Sequence, residues 1–260
     1  MKIRDAMQFS RLITVMLLFT SVSFAQQPQN TQQTQDAQQA QKKKQTFWQR
    51  LLRFCGISAT PSAQKAPGDK VTSGDIWLVQ VNSSEALRLT HDGGYRSPIF
   101  LTGDNKIIAL KGPDVMEISV TGGEPEKLLC VKQVVKLVGA NMDDPNSILV
   151  LIEDENRNPG LGVLTLHDGA VTKIPAEGSD EYRKALTHAE SWERVYGATK
   201  VFVKTEVKND LVGVVEWSDV YIKQVDSPPK NLSRCDGINC SQPSLSKTGH
   251  SVVFIRSGKE

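Results

Sequence analysis

The sequence predicts an all-β fold, a β-propeller of about four blades, over residues 74–260. The first observation is an internal repeat, because residues 75–81 (DIWLVQV) are answered 39 residues later by residues 114–120 (DVMEISV). The second is that each copy is an alternating apolar and polar strand, followed by a turn and a second short strand. Repeats of this period made only of strands are typical of propeller blades.

The later repeats are more diverged but follow in chain order. Residues 97–129 predict one complete blade, residues 134–174 a second and residues 191–233 a third. A polar insertion at residues 177–190 has room for a short helix. Together with the strands at the two ends of the domain, these segments give four blades.

The two ends of the domain each supply half a blade. It begins with an outer strand pair, residues 76–81 and 86–89, and ends with an inner pair, residues 241–245 and 251–255. We expect the two pairs to join in one sheet, because that arrangement closes the ring and covers two sheet edges.

Residues 1–25 have the features of a secretory signal peptide. Three basic residues come first, an apolar stretch covers residues 12–24, and Ser23-Phe24-Ala25 offers small residues for cleavage. The apolar stretch is shorter than the roughly 20 residues of a membrane-spanning helix. We therefore expect cleavage and a periplasmic protein, with an uncleaved anchor or an extracellular destination as the alternatives.

The segment that follows predicts a tether. Residues 26–45 are rich in Gln and nearly free of apolar residues, which predicts disorder. Residues 46–56 place apolar side chains at helical spacing between arginines, which predicts a basic amphipathic helix. Such a helix can contact a membrane surface, dock on a partner or pack on the protein's own body. Residues 57–73 predict a linker.

Charge is distributed unevenly along the chain. The net charge is +2 for the whole chain, made up of +5 for residues 26–73 and −5 for residues 74–260, with the remainder in residues 1–25. An acidic domain lacks the dense basic surface that releases counterions from phosphates. We therefore expect no nucleic-acid partner.

The cysteines predict one disulfide and no metal site. Cys235 and Cys240 flank a short loop with Gly and Asn, and thiols of exported proteins are usually paired. Cys55 and Cys130 either pair with each other or leave Cys130 as a small buried apolar residue. The cysteine spacing is not repeated and the histidines are far apart in sequence, so we expect neither metal nor cofactor.

Several phrases of the sequence match one repeat pattern. Gly74-Asp75-Ile76-Trp77 precedes Arg88-Leu89-Thr90 and Ser97-Pro98, and Asn231-Leu232-Ser233 precedes Gln242-Pro243. In these phrases the chain resembles the TolB-type, WD40-like β-propeller repeat. The resemblance implies a propeller that binds a protein of the bacterial envelope, but propellers serve many functions.

The candidate binding residues lie in loops that lead into the innermost strands, where a propeller exposes its channel mouth. They are charged, aromatic and amide residues of two such loops: His91, Asp92, Tyr95, Arg96, Arg234, Asp236, Asn239 and Gln242. An exposed Tyr and Arg on one rim are typical of protein interfaces. The alternative is that Asp92 and Asp236 serve only the backbone of their turns.

Enzymatic motifs are missing from the sequence. Gly249-His250-Ser251 lacks the closing glycine of a nucleophile elbow, and no phosphate loop or zinc-protease motif is present. We therefore expect an exported, non-enzymatic scaffold that binds an envelope protein. The alternatives are a carbohydrate or cell-wall binding module and an accessory propeller of a peptidase.

Overall fold

The computed structural model describes residues 72–258, with the exception of residues 84, 142–143, 177, 192, 211–212 and the side chain at position 210. The predicted signal peptide, tether and amphipathic helix, and nearly all of the linker, lie outside the described residues. Every described residue belongs to one structural unit, which spans residues 44–260.

The described residues form four sheets, each an antiparallel set of four strands, which we call blades 1 to 4. Blade 1 holds β3 (Tyr95–Phe100), β4 (Lys106–Lys111), β5 (Asp114–Ser119) and β6 (Glu126–Cys130). Blade 2 holds β7 (Val134–Ala140), β8 (Ser147–Glu153), β9 (Pro159–Thr165) and β10 (Val171–Lys173). Blade 3 holds β11 (Arg194–Tyr196), β12 (Thr199–Asp210), β13 (Gly213–Lys223) and β14 (Lys230–Asn231). These blades confirm the predicted order of complete repeats.

Blade 4 joins the two ends of the domain, as predicted. Its strands are β15 (Asn239–Leu245), β16 (Ser251–Ser257), β1 (Asp75–Gln80) and β2 (Ala86–Arg88), in that order. Ile76 pairs with Ile255 and Trp77 with Phe254 in an antiparallel register. The chain enters this blade at Gly74, where a Cβ would lie 2.2 Å from the carbonyl oxygen of Arg256, so only glycine fits. The fold is therefore a four-bladed β-propeller with one composite blade.

Three apolar layers hold neighbouring blades together. Ile108, Leu110 and Val115 of blade 1 pack with residues of blade 2 such as Ile148 and Leu164. A second layer joins blade 4 to blade 1, and a third joins blade 3 to blade 4. The alternating strands predict these layers, because one face of each strand must be buried.

The second face of blade 2 is covered by a helix. The helix α1 (Asp180–Glu190) places Tyr182, Ala185 and Ala189 against Leu149 and Leu161 of blade 2. It begins at Ser179, whose side chain accepts a hydrogen bond from the Tyr182 N–H. The sequence allowed a short helix in this insertion, but it did not predict that the helix would cover a face of blade 2 that the next blade covers in most propellers.

An aspartate fixes the outer strands of two blades, and it is partly buried in blade 4 and buried in blade 3. In blade 4, Asp75 Oδ1 accepts hydrogen bonds from Thr90 Oγ1 and the Gly93 N–H, at 3.1 and 2.9 Å. The Thr90 hydroxyl in turn accepts from the Ile76 N–H at 2.9 Å. We call this arrangement the aspartate clasp. It ties the start of an outer strand to the loop that leads into the next blade.

Blade 3 repeats the clasp with different residues. Asp219 Oδ1 accepts from Ser233 Oγ at 2.6 Å and from the Cys235 N–H at 2.7 Å, while Ser233 Oγ accepts from the Val220 N–H at 2.8 Å. The motif shared by Asp75…Thr90 and Asp219…Ser233 therefore has a physical basis. In both blades the hydroxyl accepts a hydrogen bond from the backbone of the strand, and the carboxylate accepts one from the backbone of the loop.

Blades 1 and 2 use substitutes for the hydroxyl. In blade 2 the phenol oxygen of Tyr182, from helix α1, accepts a hydrogen bond from the Leu161 N–H at 3.2 Å. In blade 1 Asp114 pairs with Cys130 across the strands, and the pKa of Asp114 is lowered by hydrogen bonds from Lys127 and the Cys130 thiol. Cys130 is exposed with a free thiol, so the expectation of a small buried apolar residue is wrong. Cys55 lies outside the described residues.

The clasp predicts a cost for altering Asp219, which is 2% exposed. Asp219→Asn is expected to lower the free energy of unfolding by about 2 kcal/mol, because the amide offers one oxygen to donors that face two. Urea unfolding measures the loss, and Asp226→Asn in an exposed turn is the matched control, expected to change stability by less than about 0.5 kcal/mol. Equal stability of the two variants would contradict the clasp.

The same variant gives a pH test. Burial raises the pKa of Asp219, but hydrogen bonds from Ser233, Cys235, Trp217 and Asn231 outweigh it and leave the pKa below its ordinary value. A lowered folded-state pKa contributes stability above the unfolded-state value of about 3.9, and this is lost as pH falls through the folded-state pKa. The stability difference between the parent protein and Asp219→Asn should therefore shrink below about pH 4.

Candidate functional site

The loops before the innermost strands lie at one end of the propeller, which we call the loop face. It comprises residues 91–94 before β3, 131–133 before β7 and 234–238 before β15. Arg96, the second residue of β3, binds the carbonyl of Val135, the second residue of β7, and Ser97 binds Gln242 of β15. The three strands therefore enter the fold from the same end, and their leading loops are neighbours.

Two of the predicted site residues are buried and correct the expectation of an exposed rim. Tyr95 and Gln242 are each 1% exposed. Tyr95 packs in the apolar layer between blades 4 and 1, because it is the first residue of a strand with one face in that layer. Neither side chain offers contact area to a partner in this conformation.

Asp92 forms a small polar cluster above Tyr95. The Lys111 ammonium binds the Asp92 carboxylate and lies 4.7 Å from the centre of the Tyr95 ring. The hydrogen bond from Lys111 lowers the pKa of Asp92, whereas burial and the nearby carboxylate raise the pKa of Tyr95. Asp92 is exposed and ionised, so it presents negative charge at the loop face.

Arg96 is a bridge between blades. One of its terminal nitrogens donates to the carbonyl of Val135 at 2.7 Å, and the other donates to the carbonyl of Gly112 at 3.0 Å. Burial lowers the pKa of Arg96 from its usual value. Its fork of donors is engaged by the main chain of blades 1 and 2, so we assign Arg96 a structural role.

Gln242 and Ser97 are matching positions in two inner strands. Both precede a proline and both have left-handed backbone angles, with φ of 55° and 52°. The Gln242 side-chain oxygen accepts from the Ser97 N–H at 2.6 Å, and its amide nitrogen donates to the carbonyl of Thr72. The Ser-Pro and Gln-Pro phrases of the repeat therefore mark a bulge in each strand, where the freed N–H of Ser97 binds the side chain of Gln242 across the blades.

Asp236 and Asn239 lie in the segment closed by the predicted disulfide, and Arg234 directly precedes it. Cys235 and Cys240 are both buried and bonded, with 6.3 Å between their Cα atoms. Arg234 and Asp236 are exposed and have positive φ angles of 47° and 41°. Asn239 accepts hydrogen bonds from the main chain and hydroxyl of Ser218. The loop is thus held at three points, by the disulfide, the Asp219 clasp and Asn239.

The exposed part of the loop face is polar and carries both charges. His91, Asp92, Arg234 and Asp236 are exposed, and Lys132 and Gln133 add to them before β7. Within the described residues no group of His, Cys, Asp and Glu has the arrangement of a metal site. Over the same residues, no helix has the length and apolar character needed to cross a bilayer.

Sequence reasoning did not predict the buried polar residues of the innermost strands, and it named Gln242 only as an exposed residue. They are Ser97, Lys136 and Arg194 on three of these strands, and Gln242 and Ser244 on β15. Lys136 donates to the carbonyls of Glu190 and Ser191, and Arg194 donates to the same Ser191 carbonyl, so the two cations join blade 2 to blade 3. The available signal was a lysine within the apolar run Val134-Val135-Lys136-Leu137-Val138.

Comparison with known proteins gives no match to any protein family and none to a curated protein. Among solved structures, a putative TolB from Agrobacterium tumefaciens is 11% identical, with 74% of this chain and 72% of that chain covered and a TM-score of 0.32. TolB from Acinetobacter baumannii is 15% identical, with 72% and 47% covered and a TM-score of 0.33. The β-propeller domain of the Trilobed protease from Pyrococcus furiosus is 11% identical, with 64% and 51% covered and a TM-score of 0.29. This chain therefore spans about half the length of the last two.

The contacts of Gln242 predict a structural effect. Gln242→Met keeps the volume but removes the acceptor of the Ser97 N–H and the donor to Thr72, so unfolding free energy should fall by about 2 kcal/mol. The exposed Gln133→Met is the matched control, expected to change stability by less than about 0.5 kcal/mol. Urea unfolding compares the two, and a loss no larger than that of the control would contradict this role.

Proposed function

We propose that the protein is an exported, non-enzymatic propeller scaffold that binds another protein of the bacterial cell envelope through its loop face. The observation that supports the proposal is that exposed charged side chains lie on backbone segments fixed by a disulfide and by hydrogen bonds. Arg234 and Asp236 project from a loop fixed by a disulfide and a clasp, and Asp92 stands beside the clasp of blade 4. A fixed polar surface binds with little loss of conformational entropy.

The chemistry of this surface favours a polar polypeptide as the ligand. Small-molecule sites are concave and mostly apolar, with a few polar groups. The exposed residues of the loop face are instead charged or amide side chains of both signs, and its tyrosine is buried. Charges of both signs complement a peptide that carries both, and they set its orientation.

The disulfide supports export. Disulfides persist in oxidising compartments and are rare in the cytoplasm. The Cys235–Cys240 bond is buried in the layer between blades 3 and 4, where it is part of the folded domain. Together with the signal-like residues 1–25, it favours a periplasmic location.

Export gives a direct prediction. The mature protein should be recovered from the periplasmic fraction with Gln26 as its first residue, because cleavage is expected after Ala25. Fractionation of the native host and mass spectrometry of the intact chain measure this. A chain that retains Met1 in the cytoplasm would contradict the proposal.

The loop face is tested by two substitutions that the backbone tolerates. Arg234→Asn and Asp236→Asn remove charge while keeping a residue suited to positive φ. Together they should lower the affinity for the envelope protein roughly tenfold, because charges at the rim of an interface each contribute about 1 kcal/mol or less. Crosslinking in the native envelope, followed by quantitative mass spectrometry, measures the loss.

The matched control for this experiment is Asp226→Asn. Asp226 is exposed with a φ of 60°, but it lies in the turn between β13 and β14 at the opposite end of the propeller. The control should retain the partner at the parental level. If both variants retain it, the loop face is not the binding surface; if glycan fragments alone are recovered, the ligand is carbohydrate.

A further inference from the structure

Strands β12 and β13 extend beyond the other two strands of blade 3. They have 12 and 11 residues, whereas the inner and outer strands of the other blades have at most 7. Their ends, residues 205–210 and 213–217, form an arm that extends from the loop face. Three apolar residues of the arm are exposed, Val207 by 61%, Val214 by 69% and Val215 by 43%.

The edge of β12 on the β11 side has no strand beside it in the described part of the arm. On that side β11 pairs only with Thr199, Lys200 and Val201. Beyond these residues β12 pairs with β13 alone. An edge strand of this length offers unpaired N–H and C=O groups to another strand.

The hydrogen bonds of β13 show which groups are offered. Val220 accepts from the Leu232 N–H and donates to Ser233, and the Ser218 N–H binds Asn239, so both residues direct their backbone away from β12. Val220 and Ser218 pair with Val203 and Thr205. Because such pairs alternate along an antiparallel ladder, the backbone groups of residues 203, 205, 207 and 209 face the open edge.

We propose that this edge pairs with the same edge of a second copy of the chain, antiparallel and centred on Val207. In that register Val207 lies opposite the partner's Val207, and Thr205 lies opposite the partner's Asn209. Glu206 then lies opposite the partner's Lys208, and Lys208 opposite the partner's Glu206. The edge is therefore complementary in charge to itself, as a two-fold interface requires.

The two charged residues are available for this pairing. Lys208 is exposed and makes no ion pair with any described residue. Glu206 is ionised, because hydrogen bonds from Tyr221 at 2.5 Å and Lys204 at 2.9 Å lower its pKa. A carboxylate has room for further donors, so the partner's lysine adds to these contacts. Opposite charges directly across two strands stabilise the pairing, and like charges oppose it.

The exposed valines fit the same arrangement. Val207 would pack on its own copy at the two-fold axis, with Val214 of the adjacent strand on the same face. Val215 and Trp217 lie on the other face, beside Lys208 and Glu206 of their own chain. The pairing would thus bury apolar surface on both faces of the arm and satisfy the open edge of β12.

Charge reversal tests the register in the full-length mature protein. Light scattering after gel filtration should show a dimer for the parent, and Lys208→Glu and Glu206→Lys should each weaken it at least tenfold. Mixing the two single variants should give a heterodimer, because each carries the charge that the other lacks. The double variant should dimerise like the parent. A parent that stays monomeric at about 100 μM, or single variants that dimerise like it, would overturn the proposal.

A crosslink tests the position of the axis. Val207→Cys, in a background with Cys55 and Cys130 changed to Ser, should form an intermolecular disulfide on oxidation, because directly opposed Cα atoms lie about 5.5 Å apart. Val225→Cys is the control, since Val225 is exposed at the opposite end. Equal crosslinking of the two variants, measured on non-reducing gels, would overturn the proposed pairing.

The dimer edge and the proposed partner-binding side chains are different residues, so separate variants distinguish the two proposals. Lys208→Glu should lose the dimer and keep the partner, while Arg234→Asn with Asp236→Asn should lose the partner and keep the dimer. Loss of both by Lys208→Glu, with unchanged circular dichroism, would contradict a separate dimer surface.

Discussion

The architecture of this propeller depends on an aspartate in each of blades 3 and 4 whose carboxylate accepts several hydrogen bonds. Asp75 is the first residue of β1 and Asp219 is the seventh residue of β13, and the apolar layers exclude much of the water that would otherwise solvate Asp219. Each obtains one backbone donor from the loop that leads into the next innermost strand, the Gly93 N–H for Asp75 and the Cys235 N–H for Asp219. The hydrogen bonds to the carboxylate therefore fix the position of that loop. Because the aspartate is part of a paired strand, the position of the loop depends on the pairing of that strand.

The proposed binding surface is rigid because these hydrogen bonds hold its loops. Side chains near the clasps, such as Arg234 and Asp92, are exposed, but the backbone that carries them is bonded to the blade. Blades 1 and 2 depart from this pattern. In blade 2 the hydroxyl comes from Tyr182 of helix α1, and in blade 1 a thiol stands opposite Asp114. The helix thus completes a hydrogen-bond pattern as well as covering an apolar face.

Sheet edges are treated differently in different parts of the fold. The composite blade pairs β16 with β1, which covers the edges that the two strand pairs would otherwise expose. The arm of blade 3 extends past β11 and β14, so the edge of β12 on the β11 side is left with only side chains to limit pairing. Charges at Glu206 and Lys208 oppose indiscriminate association and permit one register.

The sequence by itself determined the repeat, the joining of the two ends in one blade and the disulfide, because period-2 patterning and short-range loop chemistry depend on neighbouring residues. It also placed the candidate loops at one end of the fold. Only the tertiary structure decided that Tyr95 and Gln242 are buried, that Arg96 bridges two blades and that Cys130 is exposed. Patterning tells which side of a strand a residue is on, but what covers that side, a blade, a helix or water, depends on contacts between residues far apart in the chain. The same reason applies to the arm, whose alternation is ordinary and whose valines are exposed because no blade reaches them.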